Sequence, residues 1–261
     1  LNDIAIRKNG FTYNKKTGRR IAALIAVHVF GNPADLTSIL KITRNWGIPV
    51  LEDAAEALGS WNKFPNKNNA HCGLLGDVGV ISFNGNKLIT TGGGGVLITH
   101  NQKIAELSKH LSTTAKLAHD WEFDHDHIGW NDRLPNINAA LGLAQIEVLD
   151  RRLEMKRKLL KRYEVALQDI ENLTLIRPTQ NSLSNNWLIS ISLNFEKLEE
   201  LKKERNELLF NAIKRNLMLR PIWKPLHKLL IYQDTPRGSL KCAENFEYRI
   251  INLPSSPQLI E

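Results

Sequence analysis

The chain has 261 residues, 42% of them hydrophobic, which is enough for a globular protein with one large domain and a smaller one. Its two cysteines, Cys72 and Cys242, stand far apart without CxxC spacing, which speaks against a disulfide framework or a structural zinc site and for a reducing compartment, the cytoplasm. No apolar run approaches the roughly 18–20 residues of a membrane span, and the net charge of +8 sits partly in runs such as "RRLEMKRKLLKR" and "KLEELKKERN", where leucines and acids interleave at helical spacing; neither membrane nor nucleic acid is an expected partner.

In chain order, residues 20–30 ("RIAALIAVHVF") are a continuous apolar run that predicts a buried strand ending at "GNP". A helix follows over 35–47, with Asp35 as its cap, Leu36, Ile39, Leu40 and Thr43 on one side, and Gly47 as its stop. Residues 48–51 read as a second buried strand that delivers Glu52 and Asp53 at its carboxyl end, completing a β-α-β unit. Two more strands, 78–83 and 95–99, flank Lys87 and a run of four glycines, and a helix resumes at 102. This alternation predicts an α/β fold, a mainly parallel sheet covered on both faces. Segments 62–77 and 113–136 are long, polar and aromatic, the kind of loop that carries function. A single helix is expected from about 137 to 167, with Gly142 its weak point, leading into a smaller α/β lobe; the domains are drawn as 1–165 and 166–261.

Asp53 and Lys87 lie at the ends of neighbouring buried strands, where open α/β sheets place their ligands. A lysine amine able to form a Schiff base and a buried carboxylate able to keep a heterocyclic nitrogen protonated are the two requirements of pyridoxal-phosphate chemistry. Within loop 113–136, Asp124, His125, Asp126 and His127 alternate as residues of one strand would, but no further ligand stands at metal spacing, so the reading is a substrate-facing loop without a metal. "RPIWKPLH" offers Arg220, Trp223 and His227 for a sugar or diphosphate, with structural packing as the rival reading.

Four motifs in order, "HVFGNPADL", "VLEDAAEALGS", "GDVGVISFNGNKLITTGGGG" and "IGWNDRLPNINAALGLAQIEVLD", make the chain resemble the DegT/DnrJ/EryC1/StrS sugar-nucleotide aminotransferases, in particular the branch forming 4-amino sugars for legionaminic acid and related surface glycans. The resemblance implies fold-type I, a mainly parallel central sheet with a smaller C-terminal α/β domain, pyridoxal 5'-phosphate as cofactor, and a homodimer with shared active sites. It also implies L-glutamate as amino donor and the 4-keto carbon of a UDP-linked deoxysugar as acceptor. Carried over motif by motif, Lys87 is the Schiff-base lysine, Asp53 pairs with the pyridine nitrogen, Ser82 bonds the cofactor phosphate and Asn131 reaches that phosphate from the partner subunit. Glu56 stands where many members carry a glutamine near the ring hydroxyl, His125 matches a substrate-loop position, and Gly93 replaces a glutamate as in the legionaminic-type branch. Bland rivals stay open: a helix cap for Asp53, a strand serine for Ser82, a turn residue for Asn131. The resemblance further implies a segment ahead of Leu1, with a phosphate-binding turn and a stacking aromatic, and a short tail beyond Glu261, so the chain reads as truncated. The alternatives are a non-catalytic relative that binds nucleotide sugar or nucleic acid, and a related sugar dehydratase, against which Lys87 argues because such members replace the lysine.

Overall fold

The computed structural model of the chain describes residues 1–64 and 68–260; Pro65, Asn66 and Lys67, within the expected 62–77 loop, and Glu261 lie outside the described residues. Two compact units form, Leu1–Arg151 with Pro178–Asn185, and Arg152–Arg177 with Asn186–Glu261. The division therefore falls at 151/152 rather than near 165, and residues 178–185 return to the first unit because their backbone pairs there.

The first unit opens with a hairpin, β1 (Ala5–Lys8) and β2 (Phe11–Asn14), turned by Asn9 and Gly10, both at positive φ. The sequence pattern did not announce it, since neither strand is a sustained apolar run. The site-bearing sheet has the order β3 (Leu24–Val27), β4 (Val50–Asp53), β7 (Val78–Ser82), β8 (Gly95–Ile98). Between β4 and β7 lie the short strands β5 (Trp61–Asn62) and β6 (Ala70–His71). The first three strands of the large sheet run parallel, with Val27 opposite Asp53 and Asp53 opposite Val80; β8 is antiparallel, bringing Gly95 opposite Ser82. Helix α1 (Leu36–Trp46) forms as its sequence predicts: Asp35 caps it by accepting the Ser38 N–H, and Gly47 ends it in the left-handed region at φ 62°. With Leu36 and Leu40 it covers the face carrying Ala26 and Val50. The other face is not covered as expected. Ile25, Val27 and Leu97 are 64%, 46% and 41% exposed, because the strand period of two sends alternate residues away from α1.

Helix α2 (Gln102–Ser112) is capped by Asn101 and followed by a long loop. The single helix expected over 137–167 is two, α3 (Asn136–Glu147) and α4 (Leu149–Leu167), broken at Val148 (φ −106°, ψ 7°). Gly142 is not the break; a Cβ there would come within 2.8 Å of the Thr91 methyl, so close packing of α3 explains the glycine.

In the second unit, β9 (Leu173–Leu175), β11 (Ser190–Leu193), β12 (Arg220–Pro221) and β13 (Ile250–Asn252) form an antiparallel sheet ordered β12-β13-β11-β9. The intervening β10 (Ser182–Leu183) instead pairs with β5 in the first unit. Helix α5 (Leu198–Lys214) and α4 bring Leu201 and Leu159 onto Ile189, Ile191 and Ile251; each fully buried side chain of this kind contributes about 1.5–3 kcal/mol. A short helix, α6 (Lys241–Phe246), precedes β13. The charge runs on α4 and α5 are laced by Lys158–Glu154, Lys202–Glu199 and Lys203–Glu207, as solvated faces are. Lys156 departs from that reading. It is 3% exposed, donates to the carbonyls of Trp187 and Ser255, and burial pushes its ammonium pKa down to about 7.

Candidate active site

Strand β4 ends in two carboxylates, and the pleat sends them to opposite faces. Glu52 points inward, fully buried, and accepts from His28 Nε2 at 3.0 Å and from the backbone N–H groups of Gly73, Leu75 and Gly76 at 2.7, 2.6 and 2.5 Å. Burial alone would raise its pKa, but His28 and the Gly76 and Gly73 N–H groups together hold it below the ordinary value. His28 Nδ1 accepts the Ala34 N–H, so its Nε2 carries the proton donated to Glu52. This pair fixes the turn after β3 and is structural.

Asp53, on the other face, accepts the Ala55 N–H at 3.1 Å in an Asx turn, and its own carbonyl accepts the His28 N–H. No helix follows it, so the helix-cap reading gives way to this turn. One step along, Glu56 receives the Phe30 N–H at 2.7 Å and faces the Lys87 ammonium at 3.7 Å. Phe30 holds φ 57°, a left-handed conformation rare for a bulky residue, and that backbone turn aims its N–H at Glu56. Burial raises the Glu56 pKa, and the Asp53 charge pushes the same way against the opposing Phe30 N–H and Lys87.

Lys87 lies on a turn whose N–H bonds the Asn84 carbonyl, just past β7. Beneath it the glycine run folds back: Gly94 takes φ 102°, and a Cβ on Gly95 would strike the Ile81 carbonyl. Ser82, the last residue of β7, accepts the Asn84 N–H at 3.2 Å on its hydroxyl. Asp53, Glu56, Ser82 and Lys87 therefore share the carboxyl edge of the parallel strands, where ligands of such sheets bind.

The remaining expected site residues stand elsewhere. His125 and Asn131 lie on the loop after α2: His125 donates from Nδ1 to the Thr114 carbonyl at 2.7 Å, and Asn131 bridges Thr113 backbone to backbone. In the second unit, Arg220 is exposed on β12 with a guanidinium nitrogen 3.5 Å from Met218 Sδ, Trp223 is 59% exposed, and His227 is bound to Glu244 at 2.9 Å. One support escaped sequence reading. Asn185, from the returning segment, donates to the carbonyls of Glu56 and Leu58, both at 2.8 Å, while Ser60 and Ser184 donate to the Gly31 carbonyl. A Cβ on Gly31 would collide with Asn185, so "VFGNP" and "SNNW" are coupled by contact though far apart in sequence. Among the described residues one trio of metal-type donors also comes together, His110, Asp126 and His127.

The profile of the DegT/DnrJ/EryC1/StrS aminotransferase family matches residues 13–261. The chain is 35% identical over 260 residues to the putative pyridoxal phosphate-dependent aminotransferase EpsN of Bacillus subtilis, covering 95% of this chain and 62% of that protein. It is 32% identical to the GDP-perosamine synthase of Escherichia coli O157:H7, covering 94% of this chain and 63% of that one. Its fold superposes on Helicobacter pylori PseC, an aminotransferase involved in pseudoaminic acid biosynthesis, with a TM-score of 0.82 at 27% identity, over 91% of this chain and 62% of that one. The chain thus spans less than two thirds of the length of these relatives, and its α/β architecture is that of fold-type I.

Proposed function

The chain belongs to the DegT/DnrJ/EryC1/StrS aminotransferase family, and from that premise we propose that it serves a pyridoxal phosphate-dependent transaminase acting on a nucleotide-linked sugar. The observation that carries this is the Lys87 ammonium facing the Glu56 carboxylate at 3.7 Å, on the sheet edge that also presents Asp53 and Ser82. The donor set suits the cofactor: an amine, a carboxylate for a protonated ring nitrogen, a hydroxyl for a phosphate, and a glycine turn that keeps side chains away. Lys87, Asp53, Glu56 and Ser82 would hold it, with Asn131 approaching its phosphate from a partner subunit. Bound there, pyridoxal phosphate supplies an electron sink for a carbanion at the carbon bearing the substrate's amine.

The chain's own groups do the rest. Asp53 provides the negative charge that keeps the ring nitrogen protonated. Lys87 Nζ would take a proton from the amine-bearing carbon of the donor and deliver one to the sugar carbon that receives the amine, and Glu56, across from it, steers the ammonium. Glu56 in turn is held by the Phe30 N–H, so the acid–base pair rests on a fixed turn. The amine passes from L-glutamate to the 4-keto carbon of a deoxysugar. The sugar carrier is read as UDP; the similarity to a GDP-perosamine synthase makes GDP the rival nucleotide.

A homodimer is supported by the loop that carries Asn131, where Trp121, Phe123, Ile128 and Trp130 are 57–88% exposed. No helix among the described residues is long and apolar enough to cross a membrane. The test is a visible spectrum of the purified chain with pyridoxal phosphate, before and after L-glutamate. A band that glutamate bleaches and that Lys87→Ala never develops is the expected result, to be followed by a screen of UDP- and GDP-linked 4-ketosugars. No band from this chain, nor from one extended to the length of its relatives, sinks the reading.

A further inference from the structure

Outside the crevice the fold assembles a donor cluster that the sequence alone does not show. His110, on the last turn of α2, sets Nε2 2.5 Å from Asp126 Oδ1, and His127 sets Nδ1 2.9 Å from the same oxygen. All three donor atoms lie within 4.8 Å of one another. The backbone holds them there: Asp126 N–H bonds the Ala115 carbonyl, Trp130 N–H bonds the Leu111 carbonyl, and Lys116 bridges His125. His125, which shares the run "DHDH", is turned away to the Thr114 carbonyl, so the strand-like alternation is not what selects the ligands.

We propose that His110 Nε2, His127 Nδ1 and Asp126 Oδ1 form a binding site for a first-row divalent cation of the zinc class, which clasps the loop carrying Asn131 to helix α2. Zinc–nitrogen and zinc–oxygen bonds of about 2.0–2.2 Å place neighbouring donors of a tetrahedral site about 3.3 Å apart. Reaching that spacing asks the two imidazoles to draw back from Asp126 by less than an ångström and to close on each other, a side-chain adjustment in a cluster that is open to solvent. The cation takes the ring lone pairs in place of the two N–H···O bonds, each neutral imidazole carrying its proton on its other nitrogen, and a fourth position stays open to water. Two imidazoles and one carboxylate suit zinc, cobalt or nickel and disfavour magnesium or calcium, which prefer all-oxygen shells.

The test uses tag-free chain stripped with a chelator and titrated calorimetrically with zinc chloride, with cobalt chloride as spectroscopic probe. A single saturable site is expected, weakened about tenfold or more in each of His110→Ala, Asp126→Asn and His127→Ala, since even loss of an outer-sphere partner commonly costs 10–100-fold. His119→Ala, an exposed histidine of the same loop paired with Glu122, leaves the affinity unchanged. Because a variant could loosen the loop for other reasons, the wild-type chain is also followed by histidine NMR. Zinc shifts the ring signals of His110 and His127 and leaves His119 in place. Absence of saturable binding, wild-type affinity in the three ligand variants, or shifts at other histidines with these two unmoved overturns the site. None of these readouts involves pyridoxal phosphate, so the site and the transaminase reading fail separately.

Discussion

Two glutamates four positions apart, Glu52 and Glu56, come to opposite ends of what a carboxylate can do. Glu52 sits on the inner face of β4 with four donors around it, and its pKa is held low; Glu56 sits beyond the strand end with one backbone donor and a lysine across from it, and burial raises its pKa. A carboxylate with every lone-pair site used is part of the frame. One with spare capacity, aimed at an amine, is available for chemistry. The same edge of the sheet thus carries a rigid side and a reactive side: the strand's period of two separates Glu52 from Asp53, and the turn after β4 brings Glu56 round to Lys87.

The largest expected effect breaks the reactive side. Lys87→Ala lowers the rate of amine transfer by about 10²–10⁴-fold, the range for losing a positioned acid–base group, while urea denaturation shows the fold retained. Transfer by the variant at the wild-type rate would remove Lys87 from the chemistry.

The next breaks the rigid side. Glu52→Gln supplies a single acceptor oxygen for four donors and turns an NH2 group toward N–H groups, so the chain loses about 3–5 kcal/mol of stability in urea denaturation. Glu56→Gln keeps an oxygen for the Phe30 N–H and changes stability by only about 1 kcal/mol or less. Equal losses in the two variants would abolish the distinction between the sides.

The smallest effect sharpens the comparison through pH. Glu52 has a folded pKa below the ordinary 4.5, so its contribution to stability is present above that value and is lost as pH falls through the folded pKa. Glu56 has a folded pKa above 4.5, so its contribution is full below that value and is lost as pH rises through the folded pKa. Stability curves measured from pH 3 to 8 therefore diverge in opposite senses: the gap between wild type and Glu52→Gln widens with rising pH, and that between wild type and Glu56→Gln narrows. Gaps that move together would mean that the two carboxylates share one environment.

Much of the frame was legible in the sequence because it rests on local rules. The Asp35 cap and the Gly47 stop form where the pattern put them, and the strands expected at 48–51 and 78–83 form at Val50–Asp53 and Val78–Ser82, because these features need only neighbours in the chain. Asp53 and Lys87 were singled out for the same reason, as polar residues at the ends of buried strands, whereas Ser82 was marked by the family motif. What failed to show were features made by distant contacts. Val148 breaks the long helix though Gly142 is its weakest helix former, because Gly142 is held by packing on Thr91. Lys156 hides inside a run that reads as solvated, because the carbonyls that receive it lie 31 and 99 residues away. The domain boundary shifted because residues 182–183 find their backbone partner in β5, a pairing with no mark in either segment.

The sequence by itself determined the chain order of the site-bearing strands with α1 and α2, the family motifs, and which residue types reach the crevice edge, since periodicity, caps and glycine turns are properties of a few adjacent residues. Only the tertiary structure decided which of two adjacent carboxylates is frame and which faces the crevice, that Asn185 supports the Glu56 turn, and that His110 joins Asp126 and His127. Those outcomes depend on distances between side chains far apart in the chain, and such distances exist only once burial and backbone pairing have fixed where the segments meet.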